Sequence, residues 1–274
     1  MEADALLAAY PLKTLATRKL KKSQQDSSWS HIKSLSVQGM SAFAIVEQID
    51  KKDIALWSKV LENSSSTIYN SAHKALLQIL PTASNLFRWK KVSDPNCPLC
   101  KQGLIQTNKH ALSNCTPPVA LQRFTGRHNG VLQMIIIWLK AVLSPTQKLF
   151  GDIENDQWES TSELFHTLRP DLAILDALSI TILELTICHE TNLNKLKSYK
   201  INKYKNIASY WTWKSSGKTI STYTLEVSTL GLISPCLDFT NAIGVPSMPT
   251  DLKERITRAT LSSSFKIYCG RNSI

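Results

Sequence analysis

Acidic residues are in short supply: 21 aspartates and glutamates face 32 lysines and arginines, a formal net charge of +11 over 274 residues. The deficit is also local. Between Arg88 and Arg127 the only acid is Asp94, and none occurs from Thr191 to Gly217. Such a chain is expected to meet a polyanion, nucleic acid being the commonest; the alternative is a solvated basic surface. Six unevenly spaced cysteines exclude a disulfide framework and predict a reducing compartment. The start, Met-Glu-Ala-Asp, lacks the positive segment and unbroken apolar core of a secretory signal. The longest apolar run, Val131 to Leu143, is interrupted by Gln133 and Lys140 and is too short to span a bilayer, so no membrane association is expected. No internal repeat is visible. A 43% hydrophobic content at this length suffices for a buried core in one large domain or two modest ones.

Most of the first ninety residues read as helix. Lys33 to Lys59 has helical apolar spacing, with Phe43, Val46, Ile49, Ile54, Trp57 and Leu61 assigned to a core. A second amphipathic segment, Ile68 to Leu80, turns Ala72, Ala75, Leu76 and Ile79 inward and ends at Pro81. The cluster Arg18, Lys19, Lys21 and Lys22 reads as a solvated helix end, a phosphate contact or a nuclear address. Leu86, Phe87 and Trp89 read as packing residues. Asn129-Gly130 and Ser144-Pro145 bracket a buried helix over 131–143.

Cys97, Cys100, His110 and Cys115 form C-x2-C-x9-H-x4-C. A tight knuckle brings two thiolates to one ion, and the later His and Cys complete a tetrahedron with no open position, which indicates structural Zn2+. Cys188, Cys236 and Cys269 read as small core residues. Around the knuckle, Arg88, Lys90, Lys91, Lys109 and Arg127 are candidate phosphate contacts.

Farther on, Leu172 to Leu175 and Ile180 to Cys188 are rich in Ile, Leu and Thr and flank the turn-like Asp176 to Ser179, which predicts a hairpin. Symmetric closure places Asp171 opposite Glu184. Two carboxylates so close repel, and a divalent metal between them removes the penalty. Alternation puts Glu184 and Thr186 on one face and Leu183, Leu185 and Ile187 on the core face. A lysine-rich segment follows. Lys200, Lys203 and Tyr204 share one helical face, while Lys195, Lys197 and Lys205 are candidate DNA-phosphate contacts. Acids that hold a metal and a cation that meets charge on phosphate are the parts of phosphodiester hydrolysis. A further strand is predicted over Thr219 to Ser228, a turn at Gly231, and a helix from Thr250 capped by Thr250 or Asp251. Residues 151 to 168, with Trp158, Leu164, Phe165 and Leu168, read as an amphipathic helix on which Glu163 is solvent-facing or a supporting ligand.

Pro170-Asp171, twelve residues, Glu184, then Lys200-x-x-Lys203-Tyr204 resembles the restriction-like endonuclease, of PD-(D/E)xK type, in the C-terminal region of non-LTR retrotransposon polyproteins. The knuckle, Arg127-His128-Asn129 after it, Leu80-Pro81-Thr82 before it and the tail from Ser263 to Asn272 extend the resemblance from about residue 70 onward. It implies an α+β chain: a helical N-terminal region (1–94), a small CCHC zinc knuckle with the Arg-His motif (95–130), and a restriction-endonuclease-like mixed β-sheet flanked by helices (131–274). It further implies Asp171 and Glu184 as ligands of Mg2+ or Mn2+, the Leu185 carbonyl as a third ligand, and Lys200 or Lys203 as the catalytic cation, since Thr186 stands where the motif lysine is expected. Tyr204 either positions phosphate or packs its helix. His128 joins the nucleic-acid contacts. Implied partners are DNA, retrotransposon RNA and a reverse transcriptase on a longer parent chain, because no aromatic-x-Asp-Asp signature occurs here; the implied location is the nucleus. The competing reading is a degenerate or domesticated zinc-containing protein that binds nucleic acid and cuts nothing.

Overall fold

A computed structural model describes residues 2–153, 159–214, 217–235 and 237–273. The fold is α+β. Five helices come first: α1 (Glu2–Ser34), α2 (Met40–Gln48), α3 (Lys51–Glu62), α4 (Ser66–Leu76) and α5 (Ala83–Arg88). In α2 the inward residues are Ala44 and Ile45, whereas Phe43 and Val46, expected in the core, are exposed. Its two ends fix the phase: Ser41 is buried against Glu190 and Ile49 joins Trp57 and Leu61, which turns Phe43 and Val46 outward. Arg18, Lys19, Lys21 and Lys22 lie exposed on α1.

The helix α6 (Pro118–Val142) does not begin after Asn129-Gly130 but runs through them. Val131, Leu132, Ile135, Ile136 and Leu139 supply a continuous buried stripe, and tertiary packing of that stripe overrides the weak helix propensity of the Asn-Gly pair. Four strands follow, β1 (Lys148–Gly151), β2 (Leu172–Leu175), β3 (Ser179–Cys188) and β4 (Thr219–Ser228), in sheet order β1-β2-β3-β4. Among the described residues of the helix expected over 151–168, α7 (Ser162–Phe165) and a 3-10 turn, His166–Leu168, are helical, and Gly151 instead ends β1. Trp158 and Cys236 lie outside the described residues. β1, β2 and β3 pair antiparallel, while β4 runs parallel to β3 and is reached through α8 (Leu193–Lys214). Short α9 (Leu237–Ala242) and α10 (Thr250–Cys269) complete the chain, with Pro249 at the N-cap of α10.

Two apolar layers hold the sheet. On one face Leu172, Ile174, Leu183, Leu185, Leu225 and Val227 pack against α6 and α10. On the other, Ala173, Ile180 and Ile182 meet Tyr204 and Ile207 of α8. Burial on both faces explains why the second half of β4 is inaccessible throughout, as is usual for parallel pairs. A third cluster joins Trp57, Val60 and Leu80 to Leu230, Leu261 and Ile267, fastening the N-terminal helices to the C-terminal one. At its centre the chain turns at Gly231, where φ is +80° and an added Cβ would lie 2.8 Å from the Thr257 carbonyl oxygen. Among the described residues no helix is long and apolar enough to cross a membrane.

Candidate functional site

Hairpin register builds the acid pair. Leu172 pairs with Leu183 and Leu175 with Ile180, so the residues that continue the ladder, Asp171 and Glu184, face one another at its open end. The Leu185 amide donates to Asp171 Oδ2 at 2.8 Å and fixes that carboxylate against β3. Glu184 is almost wholly buried, and its oxygens are taken by Lys200 Nζ and by the Tyr204 hydroxyl. Lys200 Nζ also lies 3.9 Å from Asp171 Oδ2, so one ammonium bridges both acids. Lys203 stands farther out: its Nζ is 3.9 Å from Glu184 Oε1, donates to the Tyr204 hydroxyl at 2.8 Å and reaches the Leu168 carbonyl at 3.3 Å.

His128 completes the cluster from α6. Its Nε2 faces two acceptors, Asp171 Oδ1 at 3.4 Å and the Leu185 carbonyl at 3.3 Å, while Nδ1 lies 3.2 Å from Asn129 Oδ1. His128 is expected from the sequence among the nucleic-acid contacts; the structure turns it instead to Asp171 and the Leu185 carbonyl. The signal was present: in a continuous helix His128 shares a face with Leu132 and Ile135.

Charge is divided unequally between the acids. Burial raises the Asp171 pKa, but the hydrogen bond and charge of His128, with Lys200, outweigh it and hold the group below its ordinary value. Glu184 is pushed up by burial and by the Asp171 charge, against the pull of Lys200 and Tyr204. Burial depresses His128, yet its contacts with Asp171 carry its pKa above the ordinary imidazole value. Lys200 is likewise raised, because the charges of Asp171 and Glu184 outweigh its burial, so it remains a firm ammonium. Tyr204 is raised strongly by burial and by Glu184; it is a hydrogen-bond donor and not a phenolate.

Several expected residues stand elsewhere. Tyr204 is fully buried, donates to Glu184 and has its hydroxyl oxygen 3.1 Å from the Leu168 carbonyl oxygen, so in this structure it packs its helix and holds Glu184. Arg127 was expected to meet nucleic acid, but it is buried, donating to Leu112 O at 3.0 Å and Ser264 Oγ at 2.8 Å across the α6–α10 junction. Lys109 is half-buried and donates to Asn192 at 2.8 Å. Arg88, Lys90, Lys91, Lys195, Lys197 and Lys205 are exposed. Phe87 and Trp89, expected to pack, are 47% and 41% exposed; Cys269 is exposed too, while Cys188 is buried. Glu163 is exposed on α7. Thr186 is buried, and its hydroxyl has no partner among the described residues.

A second cluster contains Cys97, Cys100, His110 and Cys115, whose ligand atoms all lie within 4.8 Å of one another. Cys97 and Cys115 Sγ are 3.8 Å apart, and Cys100 Sγ is 3.6 Å from His110 Nε2. A tetrahedral ion with metal–sulfur bonds of about 2.3 Å and a metal–nitrogen bond of about 2.0 Å needs separations close to these. The turn of π-helix His110–Asn114 spaces His110 and Cys115 to face one point, and Gln106 Nε2 approaches Cys97 Sγ at 3.6 Å. Burial and the neighbouring thiolate charges push Cys115 up to about 12, so the group needs a cation to hold its sulfurs ionised together. These four residues could bind a metal such as zinc. Comparison with protein families and with curated proteins finds no match for the chain.

Proposed function

We propose that the protein is a divalent-metal-dependent DNA endonuclease built on a restriction-like fold. The observation that carries this reading is the acid pair Asp171–Glu184 bridged by Lys200 on a basic chain. Asp171, Glu184 and the Leu185 carbonyl form an all-oxygen donor set suited to Mg2+ or Mn2+. Such an ion, when bound, activates water and neutralises charge on phosphate.

The surrounding side chains have separate tasks. His128 and the Leu185 amide hold Asp171, and Tyr204 holds Glu184. Lys200 is the cation that meets charge developing on the phosphoryl oxygens; it contacts both acids, whereas Lys203 approaches only Glu184. In this reading Thr186 occupies the motif position of the lysine, and α8 returns the cation to the same place in space. Exposed Lys195, Lys197 and Lys205 track the DNA backbone. Resemblance to non-LTR retrotransposon endonucleases adds a purpose: nicking of target DNA in the nucleus, the freed 3′ hydroxyl priming reverse transcription of the element's RNA by a polymerase on a longer parent chain. The mixed sheet with its β3–α8–β4 crossover supports that resemblance.

One observation favours the non-cutting alternative, a zinc-containing nucleic-acid-binding protein: Glu184 is buried and already satisfied by Lys200 and Tyr204. Nicking of supercoiled plasmid separates the two readings. The endonuclease cuts only when Mg2+ or Mn2+ is added; intact plasmid under all divalent-ion conditions sinks it.

A further inference from the structure

The loop that closes α5 carries a feature that catalysis does not use. Phe87-Arg88-Trp89-Lys90-Lys91 interleaves two aromatics with three cations. The Lys90 amide donates to the Phe87 carbonyl and the Lys91 amide to the Leu86 carbonyl, each at 2.8 Å, with Lys90 in the left-handed region at φ +57°. This helix-closing turn pins both lysines beside the end of α5. Arg88 donates to Asn85 Oδ1, and buried Asn85 is itself anchored through Nδ2 to the Gln78 and Leu80 carbonyls at 2.8 and 2.7 Å. The guanidinium is thus held in place before any ligand arrives.

Phe87, Arg88, Lys90, Lys91, Val92 and Ser93 line an open hollow of about 660 Å³. Its wall holds one aromatic ring, three cations and no acid. Leaving Phe87 and Trp89 half in water forgoes the stabilisation that burial would give them. A partner that stacks on a ring while presenting phosphate to the cations recovers it. Duplex DNA has its base faces already stacked, so only an unpaired strand offers both surfaces.

We propose that this hollow binds single-stranded nucleic acid, a base stacking on Phe87 with the flanking phosphates on Arg88, Lys90 and Lys91. The site is distinct from the acid pair, and its test needs no cutting. Fluorescence anisotropy with short labelled oligo(dT), oligo(U) and a hairpin duplex is measured on the zinc-loaded full chain without added magnesium or manganese. Phe87→Ala is expected to weaken single-strand binding roughly 5- to 100-fold while leaving duplex binding nearly unchanged. Lys90→Asn combined with Lys91→Gln removes two cations, asparagine tolerating the left-handed backbone. That variant is expected to make the negative slope of log affinity against log salt shallower by about 1.4. The two single-strand probes identify DNA or RNA as the preferred strand. Unchanged single-strand affinity in Phe87→Ala, or an equal loss on the duplex, overturns the assignment, and zinc content and thermal midpoint verify that both variants are folded.

Discussion

His128 Nε2 lies 3.4 Å from Asp171 Oδ1, joining the middle of α6 to the residue that precedes β2. The contact gives Asp171 a second support besides the Leu185 amide and sets the direction of its carboxylate. His128→Ala is therefore expected to weaken Mn2+ binding and nicking together, by ~10- to 100-fold, as loss of an orienting partner usually does. Calorimetric titration of Mn2+ checks it. Full ion affinity in the variant would show that Asp171 needs no such support.

Lys200 and Lys203 are one helical turn apart but differ in what they touch. Lys200→Ala is expected to cost ~100- to 1000-fold in nicking rate, and Lys203→Ala about tenfold or less, measured as single-turnover conversion of supercoiled plasmid. The reverse order would assign the cation to Lys203.

One zinc per folded chain is expected at the Cys97, Cys100, His110 and Cys115 cluster. Cys115→Ser should abolish stoichiometric zinc and cost more than ~4 kcal/mol of stability in urea unfolding, because a structural metal contributes its binding energy to folding. Metal analysis of purified protein, with thiol alkylation before and after denaturation, reads both. Zinc-free protein with native stability contradicts this assignment.

A buried imidazole is expected to make the stability of the fold fall at low pH. His189 is enclosed with Glu190, and its Nε2 is 3.3 Å from Gln78 Nε2. Burial, with the Lys109 charge, lowers its pKa despite the opposing charge of Glu190. The unfolded chain then takes up a proton before the folded one does. Stability from this residue is fully present above the unfolded value near 6.5 and is lost as pH falls from there through the depressed folded value. Thermal midpoints between pH 8 and 5, a range of about three units around that value, should fall more steeply for the native chain than for His189→Gln. Parallel curves would mean that His189 is not the titrating group.

Legibility in the sequence followed from how local each constraint was. The acid pair was legible because a four-residue turn and strict alternation fix a hairpin register, and the register alone brings Asp171 to Glu184. The knuckle was legible from ligand type and spacing. His128 was not, since Asn129-Gly130 resembles a helix start and only the packing of Leu132 and Ile135 carries α6 through it. Arg127 was misread for the same reason: charge suggests surface, while its partners, Leu112 and Ser264, are distant in sequence. Phe87 and Trp89 erred in the opposite sense, because apolar character does not reveal whether a neighbour exists to cover it.

The most direct test compares the native chain with Asp171→Ala on supercoiled plasmid in Mg2+ or Mn2+, alongside DNA affinity measured without either ion. The expected result is metal-dependent nicking that disappears in the variant while its DNA affinity and thermal midpoint stay close to native. Equal nicking by native protein and variant would contradict a metal site at Asp171.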